Sequence, residues 1–134
     1  MHEFLHPKGW KPAIGYSNGV AATGRMVFTG GMVGWTGDCV FETDDFAGQA
    51  AQALRNIVAV LAEAGARPEH IVRLTWYVTD KAEYLASLKA LGAAYKAIIG
   101  AHYPAMALVQ VVALVEDVAK VEIEATAVIP EACA

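Results

Sequence analysis

The sequence predicts an α+β fold: a mixed sheet carrying two helices on one of its faces. Three observations carry that prediction. Two segments, one after Thr43 and one after Asp80, repeat apolar residues at helical spacing, and an alternating pattern lies between them. The late segment VEIEATAV alternates strictly, as a strand with one buried face does. Short apolar runs punctuated by glycine come before the first helix.

Taken in order, residues 1–12 hold Pro7, Gly9 and Pro12 and read as an N-terminal arm. In GVAATGRMVFTGG two apolar runs are separated by Thr23, Gly24 and Arg25, the pattern of a hairpin. Gly30 and Gly31 end the second run and leave bare backbone at the surface. The loop GWTGD follows, and residues 39–42 read as a further short strand.

Thr43, Asp44 and Asp45 offer N-cap oxygens. Phe46, Ala50, Ala53, Leu54, Ile57, Val60, Leu61 and Ala64 then form a helical stripe, which Gly65 closes and Pro68 prevents from continuing. In the next strand Val72, Leu74, Trp76 and Val78 alternate with Ile71, Arg73, Thr75 and Tyr77, which suits a sheet covered on both faces. Asp80 starts a second helix with the stripe Tyr84, Leu88, Leu91, Tyr95, Ile98 and Ile99, ended by Gly100. Two strands finish the chain, residues 105–114 and 120–129. In the last, Glu122, Glu124 and Thr126 share one face, and Val121, Ile123, Ala125 and Ala127 the other. The sheet face without helices needs a cover, for which a second copy of the chain is the expected source.

Composition narrows the function classes. The length of 134 residues suits one domain, residues 1–134. Hydrophobic residues make up 56% and charged residues 18%, which excludes a disordered chain. The net charge is -4 with no basic run, so nucleic acid is not an expected partner. No apolar segment is long enough to span a bilayer, the run Met106 to Val115 being the longest, and the N-terminus lacks a signal-peptide pattern. A cytoplasmic protein without membrane contact is expected. Cys39 and Cys133 have no metal-ligand spacing and read as free thiols, so no metal is expected. GxGxxG, GxxxxGK and GxSxG are absent, and no cofactor is expected.

Several segments, in order and with the right spacing, resemble the Rid (YjgF-like, L-PSP) family. They are GYSNGV, MVFTGG, the long stretch QAAQALRNIVAVLAEAGARPEHIVRLTWYVTD, YPAMALVQV and VEIEATAV, and the likeness runs from about Pro12 to Pro130. The resemblance implies a chorismate-mutase-like sandwich and a homotrimer with small-molecule clefts between subunits. It implies hydrolysis of reactive enamines and imines such as 2-aminoacrylate. There are departures. The family's substrate-binding arginine falls at Met106, and a serine before the strand-ending glycine falls at Gly30. The stretch from Tyr84 to Tyr95 is longer than usual and has Gly92 nearest to a frequent asparagine.

The resemblance also nominates site residues. Glu122 matches the cleft glutamate that holds or activates the attacking water, although an ordinary solvated glutamate beside Glu124 reads equally simply. Tyr16 matches a residue lining the cleft, and Gly31 one whose backbone approaches the ligand. At Met106 a thioether replaces a guanidinium fork, so a carboxylate loses its clamp. Arg73 reads as a solvated or subunit-contact arginine rather than a replacement. Trp35 is an aromatic wall or a subunit contact. His102, close to Met106, is a candidate proton shuttle. His2, His6 and His70 read as structural or exposed.

Two functions compete: a hydrolase acting on a small imine, enamine or related carbonyl metabolite in an inter-subunit cleft, distinct from a standard 2-aminoacrylate deaminase; and a non-catalytic, ligand-binding or chaperone-like trimer. RNA cleavage, suggested by one of the family's names, is opposed by the acidic balance.

Overall fold

The computed structural model describes residues 2–131, so Cys133 lies outside the described residues. Strand β1 (Glu3–Leu5) pairs antiparallel with β2 (Gly19–Ala21) in a small two-stranded sheet. The main, five-stranded sheet contains β3 (Gly24–Phe28), β4 (Met32–Val33), β5 (Ile71–Val78), β6 (Ala105–Gln110) and β7 (Val121–Pro130). Its order is β3-β7-β5-β6, with β4 alongside β7. β5 runs parallel to β6 and antiparallel to β7, which makes the sheet mixed, as the sequence predicts.

The expected hairpin across Thr23–Arg25 does not form. The first run pairs with the arm, Phe4 opposite Val20, and the second pairs with β7. Gly24 redirects the chain between the two sheets at φ +149°, and a Cβ there would lie 2.0 Å from the Ile129 carbonyl oxygen. The arm therefore contains a strand.

β3 and β4 are two halves of one edge. Phe28 faces Thr126 and Met32 faces Ile123, so three residues on this edge oppose two on β7. That is a bulge, and bulges re-aim the backbone. Thr29 holds it: its hydroxyl donates to the Gly30 carbonyl at 2.8 Å and accepts from the Ala125 N–H at 3.0 Å. Residues 39–42 form no strand, and Cys39 sits in a turn at φ +61°.

Helix α1 (Phe46–Ala62) starts where Asp45 accepts a hydrogen bond from the Gly48 N–H at 2.8 Å. Its face of Phe46, Ala50, Ala53, Leu54, Ile57 and Leu61 is buried against the sheet, and each fully buried leucine or isoleucine contributes roughly 1.5–3 kcal/mol. Val60 falls at the stripe's margin and is exposed. Two amides on α1 tie down loops. Buried Gln49 donates to the carbonyls of Thr43 and Val118 and accepts from Lys120 N–H, while Asn56 donates to the carbonyls of Val33 and Trp35.

The second predicted helix is broken into α2 (Lys81–Ala86) and α3 (Leu88–Ile98). Asp80 caps α2 as expected. At Ser87 the hydroxyl donates back to the Glu83 carbonyl at 2.8 Å and φ falls to -108°, the kind of back-bonding that bends helices. β6 stops at Gln110, short of the expected end at Leu114, because its partner β5 ends at Val78. Gln110 then accepts from the Lys81 N–H at 2.7 Å. The β7 alternation holds: Val121, Ile123, Ala125 and Ala127 are buried, and Glu122, Glu124 and Thr126 are half-exposed on the face without helices.

Candidate functional site

A cavity of about 580 Å³ lies between the sheet and the α2–α3 pair. Trp76, Met106 and Leu108 contribute to it from the sheet, on the face shared with Leu74. Tyr84, Leu88, Leu91 and Tyr95 contribute from the helices, and Ile14, Tyr16 and Tyr103 from the connecting chain. No charged side chain is among its lining residues.

Local bonds hold the connecting chain in place. The Ser17 N–H donates to the Pro104 carbonyl at 3.0 Å, and the Ser17 hydroxyl donates to the Tyr103 carbonyl. Ser17 bridges Ala105 in parallel, which holds the Tyr16 segment along the start of β6, and Tyr16 and Met106 both line the cavity. Tyr103 stacks on Tyr95 with ring centroids 5.4 Å apart, and Tyr95 Oη donates to the His102 carbonyl at 2.6 Å. Burial, reinforced by Tyr103, raises the Tyr95 phenol far above its ordinary pKa, so it stays a donor.

A second constellation occupies the other face of the sheet. Gly31 lies against Glu122: a Cβ at Gly31 would fall 2.2 Å from Glu122 Oε2, so only glycine lets the carboxylate sit there. Glu122 is opposite Tyr77 across the β5–β7 ladder. Tyr77 Oη donates to Glu124 Oε1 at 2.8 Å, and this bond, ahead of burial and the charges of Glu124 and Glu122, raises the Tyr77 pKa. Glu124 is therefore bonded rather than simply solvated.

The six residues singled out from the sequence thus fall in four places. Tyr16 and Met106 share the cavity. Gly31 and Glu122 touch each other on the opposite face. His102 is outside the cavity lining; its Nε2 donates to the Ile71 carbonyl at 2.7 Å, and Phe4 meets its ring edge-on. Trp35 lies against Phe41 with ring centroids 5.8 Å apart, also outside the cavity. Arg73 is opposite Ala105 and so on the face away from Met106, which removes it as a cation for the cavity of its own chain.

Sequence reasoning assigned Trp76, Tyr84, Leu88, Leu91 and Tyr95 to core stripes and missed that they enclose a space. The available signal was the aromatic content of those stripes. Tyrosine and tryptophan combine large apolar bodies with polar tips, and suit a wall that also meets a ligand. Among the described residues, no group of three or more His, Cys, Asp or Glu is placed to hold a metal ion. No helix there is long and apolar enough to cross a membrane.

The family described as Endoribonuclease L-PSP matches residues 8–129. The chain belongs to this family, the Rid or YjgF family. Within the Rid family it is similar to a 2-iminobutanoate/2-iminopropanoate deaminase of Salmonella typhimurium, 37% identical over 120 residues, which cover 87% of this chain and 89% of that one. A RutC family protein of Aquifex aeolicus is 35% identical over 80 residues, 60% of this chain and 63% of the relative's own length. Among solved structures, YyfB from Yersinia pestis, described as a protein of unknown function of the conserved Rid family, has a TM-score of 0.85 and 32% identity, covering 96% of this chain and 98% of its own. The α+β fold inferred from the sequence is thus the Rid fold.

Proposed function

We propose that this protein is a hydrolase that converts a small imine, enamine or related carbonyl metabolite to a carbonyl product, in a cleft formed between copies of the chain in a homotrimer. One observation carries the reading. The Tyr16–Met106 cavity and the Gly31–Glu122 pair lie on opposite faces of one sheet, so no single chain brings them together. A neighbouring copy that docks its Glu122 face at the cavity mouth completes the site. The deaminase name of the Salmonella relative supports the reaction class.

For an imine, Glu122 of one subunit takes a proton from water as the oxygen bonds to the imine carbon, and the nitrogen takes up a proton. The carbinolamine then loses ammonia as the carbonyl forms. Overall, one imine and one water give one carbonyl compound and one ammonia. With Met106 where the resemblance expects an arginine, a 2-imino acid lacks its carboxylate fork, so the standard 2-aminoacrylate reaction is not the one favoured. A cytoplasmic setting belongs to this reading and suits the free, exposed Cys39.

Mixed assemblies test it. Gly92→Phe fills the cavity, and Glu122→Gln removes the base. Each variant alone is expected to lose turnover of an imine generated in situ and trapped by semicarbazide. Co-expressed, they are expected to regain about a quarter of wild-type turnover, because clefts that draw the cavity from one chain and the glutamate from the other are intact. Failure to regain turnover, while each variant still assembles, contradicts the shared cleft. Binding without hydrolysis in the wild type leaves the non-catalytic trimer.

A further inference from the structure

We infer that the cavity takes an uncharged, largely apolar molecule, aromatic or branched, bearing one hydrogen-bond acceptor and no carboxylate. This deepens the proposed function and rests on its reading of the cavity as the substrate half of the cleft.

The lining sets the charge of the ligand. Its side chains are aliphatic or aromatic, with tyrosine hydroxyls and the Met106 thioether as the softer exceptions. A carboxylate moved from water into such surroundings without a cation is strongly disfavoured. Within the chain, the charged groups nearby are engaged or turned away: Glu83 pairs with Lys120 at 3.1 Å, Lys89 and Lys96 are exposed outside the lining, and Arg73 lies on the opposite sheet face.

One polar group asks for a partner. Trp76 lines the cavity, is 4% exposed, and its Nε1–H is buried with no acceptor. Buried donors are almost always paired, and an orphan invites explanation. The indole lines the cavity although its Nε1 is shielded, so a rotation of the ring on ligand entry would present this N–H to a ligand's carbonyl oxygen or imine nitrogen, an acceptor of the right kind. Tyr95 is not free for that role, because its hydroxyl is committed to His102.

Size points the same way. A space of about 580 Å³ lies within the range of pockets that hold ring-sized and larger ligands, well beyond a three-carbon acid. Gly92 enlarges it, since nothing lies within 4 Å of where its Cβ would be.

Calorimetric titration of the assembled protein with three probes of one ring size tests the inference. Toluene has no acceptor, acetophenone has one, and benzoate has a charge. Acetophenone is expected to bind at least about tenfold more tightly than benzoate. Trp76→Phe should weaken acetophenone by roughly three- to tenfold and leave toluene within about twofold. Gly92→Phe should weaken both neutral probes. Benzoate binding as tightly as acetophenone, or no binding of either neutral probe, overturns the inference; equal loss of toluene and acetophenone in Trp76→Phe overturns the role of the indole. Because binding is read without turnover, acetophenone binding as expected beside a failed hydrolysis assay would remove the hydrolase reading and leave this one standing.

Discussion

Met106 and Glu122 belong to one sheet and point to opposite sides of it. Met106 is paired with Leu74 on the helix-covered face, and Glu122 with Tyr77 on the other. The two positions that the resemblance places in a single cleft are therefore separated by the sheet within a chain. Any chemistry that needs both needs two chains.

Glu122 and Glu124 should separate by function. Glu122→Gln keeps the side chain's size beside Gly31 but removes the base, and should lower turnover by roughly 10²-fold or more. Glu124→Gln removes the charged acceptor that raises the Tyr77 pKa, so spectrophotometric titration of that phenol should move down toward its ordinary value of 10.0 while turnover changes little. Equal turnover losses in the two variants would remove the special role of Glu122.

Met106→Arg supplies a cation to a cavity that has none. It should raise kcat/KM for a 2-imino acid by roughly tenfold or more, through a paired charge-assisted contact with the carboxylate. An unchanged value in a folded, assembled variant would show that the carboxylate is not read at this position.

His70 predicts a pH dependence of stability. Its Nδ1 accepts from the Arg67 N–H at 2.9 Å, so the fold uses the neutral ring. Burial lowers its pKa from 6.5, with Arg67, His2 and His102 adding to the decrease and Glu69 opposing it. The folded pKa lies below the unfolded one, so this contribution is present above 6.5 and is lost as pH falls through the folded value. Between about pH 7 and about pH 5 the Tm should drop more in the wild type than in His70→Asn, whose amide oxygen accepts without titrating. Matching drops would mean His70 titrates alike in both states.

Two glycines should respond in opposite directions. Gly24→Ala forces a Cβ to within 2.0 Å of the Ile129 carbonyl at φ +149° and should cost more than about 2 kcal/mol in urea unfolding. Gly92→Ala, in the body of α3 with open space around it, should gain about 0.5–1 kcal/mol. The same sign for both would contradict the packing described for one of them.

The parts of the fold written in local periodicity were legible in the sequence. The buried face of α1 and the alternation of β7 follow from residue spacing alone, as does the cap at Asp80, while of the three N-cap candidates Thr43, Asp44 and Asp45 the helix uses Asp45. What depends on distant partners was not. β2 looks like half of a hairpin until Phe4 pairs with Val20, and the break at Ser87 rests on one hydroxyl inside an unbroken apolar stripe. Glu124 looks solvated until Tyr77 is seen across the ladder. For the site, the resemblance supplied Tyr16, Met106, Gly31 and Glu122, but their division between two faces required the β5–β6 and β5–β7 registers. Trp76 was hidden because an aromatic on an inward strand face reads as core whether or not a cavity lies beside it.

The most direct test is a matched pair of imines that differ only in a carboxylate. An amino-acid oxidase acting on phenylalanine releases the 2-imino acid, and a flavoprotein amine oxidase acting on phenethylamine releases the same skeleton without the acid. With semicarbazide as the trap, the protein should suppress semicarbazone formation from the neutral imine, by at least about tenfold more per mole of protein than from the imino acid. Preference for the imino acid, or no effect on either, would contradict the account.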